Sequence, residues 1–363
     1  MSGPPRLSLI VSFKCGSRDK TRKGRTMVNK AQNSERRQLG ALRSSAKAMD
    51  KILLKEFMAE EVIPLKAKFD DFLPVALGVR RASQIIMPAE LPDASILGAT
   101  IDDRFHQKME GRKLPGESLQ EYLKGKMGKY WRRNQMQEIR YRMQVLRDLY
   151  ADVVERSHSY RTYMDWAHKL GLETKELESR PTIREIYLYS EPAMASELEE
   201  LQDLRKDIRY ERMRVPQGDA PIHARAFPEE LNAAYLKRLG AILGFPVCCV
   251  ERYVFDRESG ILSPEVRASN QLEHLEKPDE YDPYAYFTKD FFPCQPDCGN
   301  ASKIGKEIYE RLQELDPEVA DAFKRHLEDN VALVRQYPEI IRKKVEALER
   351  AAGKGAEGDP VGE

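Results

Sequence analysis

Four cysteines lie close together in the second half of the chain, as an adjacent pair, Cys248 and Cys249, and a later pair, Cys294 and Cys298. Forty-four residues separate the two pairs, and the fifth cysteine, Cys15, stands far from both. In a reducing compartment, clustered cysteines bind metals or carry redox chemistry more often than they form structural disulfides. We therefore predict that these four are the ligands of a metal or iron–sulfur centre.

The spacing within each pair bears on the kind of centre. A single zinc ion usually takes cysteines two to four residues apart, a spacing that Cys294 and Cys298 match. The side chains of adjacent helical residues instead point about 100° apart around the helix axis. Cys248 and Cys249 therefore suit a polynuclear cluster, in which each cysteine can bind a different iron. The order of preference is an iron–sulfur cluster, then zinc, then a thiol–disulfide pair. Four simply buried cysteines are the remaining alternative, against which stands the polar, proline-containing loop between Cys294 and Cys298.

Both cysteine pairs lie where helices are predicted to begin. Pro246 favours a helix start just before Cys248 and Cys249, and Asn300 is a typical cap residue for a helix that follows Cys298. The first turn of a helix has free N–H groups and a partial positive charge, both of which stabilise thiolates. The two helix starts are therefore expected to bring the four sulfur atoms within about 7 Å of one another.

Part of the chain resembles an uncharacterised family of archaeal and bacterial domains. The resemblance rests on residues 239–250, which contain the sequence Gly-Phe-Pro-Val-Cys-Cys, and on Cys294 and Cys298. That family has a Gly-aromatic-Pro-x-Cys-Cys element and a later cysteine pair; the resemblance covers roughly residues 220–315 and implies no activity. A weaker resemblance is to the cysteine-rich domain of heterodisulfide-reductase-like proteins, which holds an unusual iron–sulfur cluster with a Cys-Cys-Gly and a downstream Cys-x-x-Cys. Here Val250 replaces that glycine, three residues separate the last pair, and the upstream cysteine is absent.

The elements that must position the cysteines are mostly helical. Apolar spacing predicts a mainly α protein (α+β with a few short strands), in which a helical bundle carries a helical four-Cys domain. Residues 1–47 are basic and poor in apolar side chains, so we expect a disordered extension, with translation starting at Met1 or at Met27. The folded part is predicted as a helical domain at 48–215 and the Cys domain at 216–352, followed by a disordered tail at 353–363.

Within the first of these domains, the sequence makes specific predictions. Apolar residues at alternating steps of three and four predict one nearly continuous helix over 136–167. Residues 73–79, 83–87 and 182–190 have the composition of strands. Residues 100–118, which contain glycines and a proline, are predicted to form a loop.

Two further features were weighed as binding residues. His274 lies between the cysteine pairs and is a candidate fifth ligand, although a lone histidine on a helix is more often a surface residue. A basic segment with interleaved aromatic residues is either a phosphate-binding face for nucleic acid or the solvated side of the long helix, and we favour the second. Its leading candidates are Lys124, Lys126, Lys129, Arg132 and Arg133.

Composition limits the function classes. Lys and Arg (60) balance Asp and Glu (59), so the net charge of +1 provides no general attraction to nucleic acid or membranes. The chain contains neither an apolar run of membrane-spanning length nor a secretory signal, so we expect a cytoplasmic protein. Two hypotheses remain. One is a metal-binding, iron–sulfur protein with a redox or metal-handling role and an unidentified redox or protein partner; the other is a zinc-braced helical module that binds nucleic acid or protein. The sequence indicates no reaction.

Overall fold

A computed structural model of the chain describes residues 49–112, 128–214, 227–259, 263–277, 280–289 and 291–356. All of these residues belong to one unit, Lys47–Glu363. The predicted disordered extension at 1–47 lies outside the described residues, as does the end of the predicted tail from residue 357 onward. The first residues of that tail, 353–356, are the end of a helix.

Helices make up most of the described chain, which confirms the predicted mainly α class with a few short strands. In chain order they are α1 (Lys51–Ala59), α2 (Leu65–Ala67), α3 (Leu73–Ala76), α4 (Ala94–Met109), α5 (Gly128–Val153), α6 (His158–Lys169), α7 (Met194–Arg214), α8 (Ala233–Ile242), α9 (Val247–Ser259), α10 (Pro264–Glu273), α11 (Gly299–Leu315) and α12 (Pro317–Ala356). A π-helical turn (Lys68–Phe72) joins α2 to α3, and two 3-10 turns are formed by Pro228–Leu231 and Pro283–Tyr286. The strands are β1 (Ala82–Met87), β2 (Glu173–Arg180) and β3 (Ile183–Tyr189).

The three strands form an antiparallel sheet in the order β1-β3-β2. The strands predicted at 83–87 and 182–190 are confirmed as β1 and β3. Strand β2 is not predicted because its eight residues are mostly charged and include one large apolar side chain, Leu177. Its pairing with β3, not its own composition, makes it a strand.

The sheet lies between two apolar cores, because successive side chains of a strand point to opposite faces. On β3, Ile186 and Leu188 join the larger core, whereas Tyr187 and Tyr189 join a smaller core built with α7 and α8. The larger core combines residues from before and after residue 215, including Cys249. The predicted domain boundary at 215/216 itself lies outside the described residues and stays a prediction.

The spacing at 136–167 predicts one continuous helix, but the structure has two. Helix α5 ends at Val153, and α6 begins at His158 after a turn. The side chain of Ser157 accepts a hydrogen bond from the Tyr160 N–H at 3.2 Å and caps α6. A serine side chain that bonds the main chain in this way replaces the bond that would continue the preceding helix.

Two other predictions in this half of the chain are wrong. Residues 73–76 form helix α3 and not a strand, since Pro74 in its first turn has the fixed φ that suits a helix start. Residues 100–109 belong to helix α4 and not to a loop, because Leu97 and Ile101 lie one turn apart and are both buried. The remainder of that predicted loop, 113–118, lies outside the described residues.

The second half of the chain also differs in detail. Helix α12 is a single helix of 40 residues, which continues through Pro338. Helix α10 is not predicted, although Ser263 and Pro264 supply a cap and a first residue that are typical of a helix start. In the described ranges, no helix combines the length and apolarity that crossing a membrane requires.

Candidate metal centre

The structure brings the four cysteines together. The Sγ atom of Cys298 lies 3.8 Å from that of Cys248 and 3.6 Å from that of Cys249, and the two adjacent cysteines are 3.9 Å apart. With Cys294, all four sulfur atoms lie within 4.8 Å of one another. They are free thiols, close enough together to hold a metal ion. The prediction that the two pairs converge is confirmed.

The first cysteine pair is placed by the start of helix α9. Gly244 adopts a left-handed φ of +71° after α8, a conformation that glycine takes without strain. The chain then passes through Phe245 and Pro246, and the Cys249 N–H bonds the Pro246 carbonyl at 2.9 Å in the first turn of α9. The predicted helix start at this pair is therefore correct.

The adjacency of Cys248 and Cys249 does not prevent them from facing one site, contrary to the argument from helical divergence. Neighbouring Cα atoms are about 3.8 Å apart, so two short side chains can place their sulfurs at a similar distance. The Sγ atom of Cys298 lies against both of these sulfurs. The angle between the Cys248 and Cys249 side chains therefore leaves room for the Cys298 sulfur beside both of theirs, and all three sulfurs can face one site.

The second cysteine pair precedes helix α11. Cys298 is itself the N-cap residue, and its carbonyl accepts a hydrogen bond from the Ser302 N–H at 2.9 Å. Asn300 is therefore not the cap that the sequence predicts. Its side-chain Nδ2 donates instead to the Sγ atom of Cys248 at 3.4 Å. This N–H···S contact joins the start of α11 to the first cysteine pair.

Helix α10 holds the chain next to Cys294, a role that sequence analysis missed. Arg267 donates to the Pro293 carbonyl at 2.9 Å and forms an ion pair with Asp256 of α9 at 2.5 Å. Gln271, one turn later, donates from Nε2 to the Cys294 carbonyl at 3.1 Å. Ser263 and Pro264, a typical cap and first residue of a helix, are the sequence signal that could have located these residues.

The environment of the cluster shifts the pKa values of its thiols in opposite directions. Burial raises the pKa of Cys248, but hydrogen bonds from Asn300 and from the other cysteines outweigh burial and lower that pKa. Burial raises the pKa of Cys249 far above the usual thiol value, against a hydrogen bond from the Cys294 main chain. Burial, followed by the hydrogen bond and charge of Cys298, raises the pKa of Cys294 to about 11. Burial therefore keeps Cys249 and Cys294 as thiols, and only a cation placed among the four sulfurs would stabilise several thiolates at this separation.

The other candidates from the sequence do not join this site. His274 is exposed, and its Nδ1 atom lies 2.7 Å from the Asn270 carbonyl. Its side chain is not among the four that converge.

The proposed basic face is only partly described. Lys124 and Lys126 lie outside the described residues, and Lys129, Arg132 and Arg133 lie on α5 at positions whose side chains are not described. Further along α5, two arginines that are described have acidic partners. Arg142 pairs with Glu138 at 3.2 Å, and Arg147 pairs with Glu178 at 2.9 Å.

No family model matches this chain, and no curated protein or solved structure is detectably similar to it.

Proposed function

We propose that Cys248, Cys249, Cys294 and Cys298 hold a single tetrahedral metal ion, and that this ion is zinc. The observation that carries the proposal is the spacing of the sulfur atoms. Zinc–thiolate bonds of about 2.3 Å in tetrahedral geometry place neighbouring sulfurs about 3.8 Å apart. The three distances that join Cys248, Cys249 and Cys298 are 3.6, 3.8 and 3.9 Å, close to one face of that tetrahedron.

An iron–sulfur cluster, the first preference from the sequence, fits these distances less well. In such a cluster the cysteines bind different irons, and bridging sulfides occupy the space between the irons. The thiolates then point away from one another. A cluster would have to move the sulfurs beyond the 4.8 Å within which all four lie.

The role that four cysteines support best is structural. Four thiolates complete a tetrahedral shell and leave no position for water or substrate, unlike a catalytic zinc site. The ion would fix the start of α9 to the segment that leads into α11, across forty-four intervening residues. Metal binding to such a site stabilises the folded state directly, because the unfolded chain has no preformed site.

This function extends the hypothesis of a zinc-braced helical module in a reducing, cytoplasmic environment. A redox or metal-handling role with a protein partner is the competing hypothesis, and it needs an iron–sulfur cluster or an exchangeable ion. Membership of the archaeal and bacterial family with the Gly-aromatic-Pro-x-Cys-Cys element likewise stays a proposal.

Metal analysis of the full chain, purified under air and anaerobically, tests the proposal. We expect one zinc per chain, no acid-labile sulfide and no visible colour. Serine in place of any of the four cysteines should reduce zinc occupancy sharply, whereas Cys15→Ser should leave it unchanged. Iron with stoichiometric sulfide after anaerobic purification would favour the cluster, and full zinc occupancy in the Cys298→Ser variant would show that zinc binds elsewhere.

A further inference from the structure

A cavity of about 560 Å³ lies next to the cysteine cluster, between the sheet and helices α8 and α9. Its volume is within the usual range for small-molecule sites. Much of its wall is aromatic, contributed by Phe227, Tyr235, Phe245, Tyr253, Phe291 and Phe292. Cys249, one of the four cysteines, also lines it. The cavity therefore offers an apolar surface to a small molecule on the inner side of the metal centre.

The cavity also contains a buried cation whose charge is poorly balanced. Arg80 lines the cavity and is only 4% exposed. Its Nε donates to the Leu243 carbonyl at 3.1 Å and its Nη1 to the Asp70 carbonyl at 2.9 Å, and its guanidinium lies over the Phe245 ring. Within the described ranges its Nη2 makes no hydrogen bond, and no carboxylate forms an ion pair with it.

The pKa of Arg80 reports the same imbalance. Burial lowers it to about 10, against the attraction of the Asp71 and Asp70 carboxyl groups. Those acidic groups therefore do not compensate for the loss of water around the guanidinium. A buried charge normally has a partner, because an uncompensated one is costly.

The neighbouring charges do not supply that partner. Lys289 contacts Glu90 and lies 3.4 Å from the Oδ2 atom of Asp71, so the lysine and Glu90 balance each other. Burial raises the pKa of Asp71 to about 8, which keeps its carboxyl largely protonated at neutral pH. The Oδ2 atom of Asp71 accepts no hydrogen bond from any described residue. A protonated carboxyl beside Arg80 can donate to a ligand oxygen.

We propose that this cavity binds a small molecule with an aromatic or aliphatic body and a single carboxylate, and that the carboxylate bonds to Arg80. A carboxylate matches the planar guanidinium and completes its hydrogen bonding, while the body of the ligand packs against the aromatic wall.

A ligand with several negative charges fits less well, because the other cations that line the cavity are already paired. Arg205 forms an ion pair with Glu185 at 2.6 Å, and Arg257 lies 3.5 Å from Glu265. A polyphosphate would have to break these pairs. Arg80 has no ion-pair partner among the described residues, so this single guanidinium selects one anionic group.

Isothermal titration calorimetry on the full, metal-loaded chain tests the proposal. The probes are 4-phenylbutyrate and 1-naphthaleneacetate, each compared with its neutral amide. We expect both acids to bind and each amide to bind at least about tenfold more weakly, because only the acid forms charge-assisted hydrogen bonds with Arg80. Equal affinity for an acid and its amide contradicts the proposal. The proposal also fails if neither acid binds at concentrations up to about 10 mM.

Three variants and one control separate the binding of the carboxylate from effects on folding. Arg80→Gln should abolish the preference for acid over amide, and Arg80→Lys should keep part of it because the charge remains. If Arg80→Gln does not fold, Ile86→Trp, which fills the cavity from β1, should reduce the affinity for the acids and their amides alike. Arg342→Gln, which removes an exposed arginine on α12, is the matched control and should bind normally.

Unchanged acid binding in a folded Arg80→Gln protein, or in the folded Ile86→Trp protein, would overturn the proposal. Metal content is measured on the same samples. Acid binding by protein that lacks zinc would leave this proposal intact and contradict the proposed function alone.

Discussion

Replacing Arg267 by Met should weaken metal binding at the four cysteines without changing a proposed ligand. The arginine is 3% exposed and its ion-pair partner, Asp256, is 4% exposed. It also donates to the carbonyl of Pro293, the residue before Cys294, one of the four proposed ligands. Methionine keeps the aliphatic stem in place but removes the guanidinium. Asp256 then becomes a buried carboxylate without its closest cation, and the chain next to Cys294 loses a hydrogen bond.

Two effects of different size follow from this change. Removing one partner of a buried ion pair costs about 3–5 kcal/mol in the free energy of unfolding, and the remaining ion pair of Asp256 with Arg252 at 3.1 Å keeps the expected loss near the lower end of that range. Losing a hydrogen bond that supports a metal ligand typically reduces metal affinity by about 10- to 100-fold. Urea unfolding followed by circular dichroism measures the first effect. Competition for zinc with a chromophoric chelator measures the second.

A double variant distinguishes the two effects. Adding Asp256→Leu to Arg267→Met removes the buried carboxylate, whose remaining ion-pair partner is the partly exposed Arg252 at 3.1 Å, so stability should recover to within about 2 kcal/mol of the original protein. Metal affinity should stay low, because the Pro293 carbonyl still lacks its donor. The control Arg342→Met removes an exposed arginine and should change neither quantity. Unchanged zinc affinity in a folded Arg267→Met protein would refute the claim that helix α10 holds the cysteine segment.

Three further changes test the packing and electrostatics around the site. Gly305→Ala should cost about 1–3 kcal/mol, since a Cβ there would lie 2.2 Å from the Tyr284 carbonyl oxygen, and thermal unfolding measures the loss. Leu149→Ala should cost about 2–5 kcal/mol in urea, because that side chain of α5 is 2% exposed. Burial raises the pKa of Asp71 to about 8, so the folded protein holds this proton more tightly than the unfolded chain does. The resulting stabilisation is fully present below about pH 4 and is lost as the pH rises through 8. Asp71→Asn should therefore gain stability relative to the original protein over that pH range.

Controls on the same elements make these results interpretable. Gly98→Ala in α4 should be neutral or stabilising by up to about 1 kcal/mol, since a Cβ there meets nothing within 4 Å. Met136→Ala on α5 removes a half-exposed side chain and should have little effect. A Leu149→Ala loss no larger than that of Met136→Ala would contradict the packing of α5. An Asp71→Asn difference that does not vary with pH would contradict the raised pKa.

The sequence predicts the cysteine cluster and the helical class because both depend on local signals. Residue type and spacing mark Cys248, Cys249, Cys294 and Cys298 as ligands, and Pro246 marks the helix that carries the first pair. Strand β3 is predicted from its β-branched and aromatic residues. These features need no knowledge of which segments meet in the folded chain.

The features that the sequence does not predict depend on contacts between distant residues. Strand β2 is polar and exists because it pairs with β3. Arg267 gains its role from a carbonyl twenty-six residues away, and no property of the arginine itself indicates this contact. The break at Ser157 depends on whether one side chain bonds the main chain. The argument that adjacent cysteines suit separate irons used an ideal helical angle, whereas the Sγ atom of Cys298 lies against the sulfurs of both Cys248 and Cys249; the kind of centre itself stays a proposal.

X-ray absorption at the zinc edge of the full chain tests the central claim most directly. The account predicts one zinc per chain, with four sulfur neighbours at about 2.3 Å and no nitrogen or oxygen neighbour. Serine in place of Cys294 should replace one of those sulfurs by a lighter atom or release the ion. A protein that carries iron and sulfide, or zinc without four sulfur neighbours, would contradict the account.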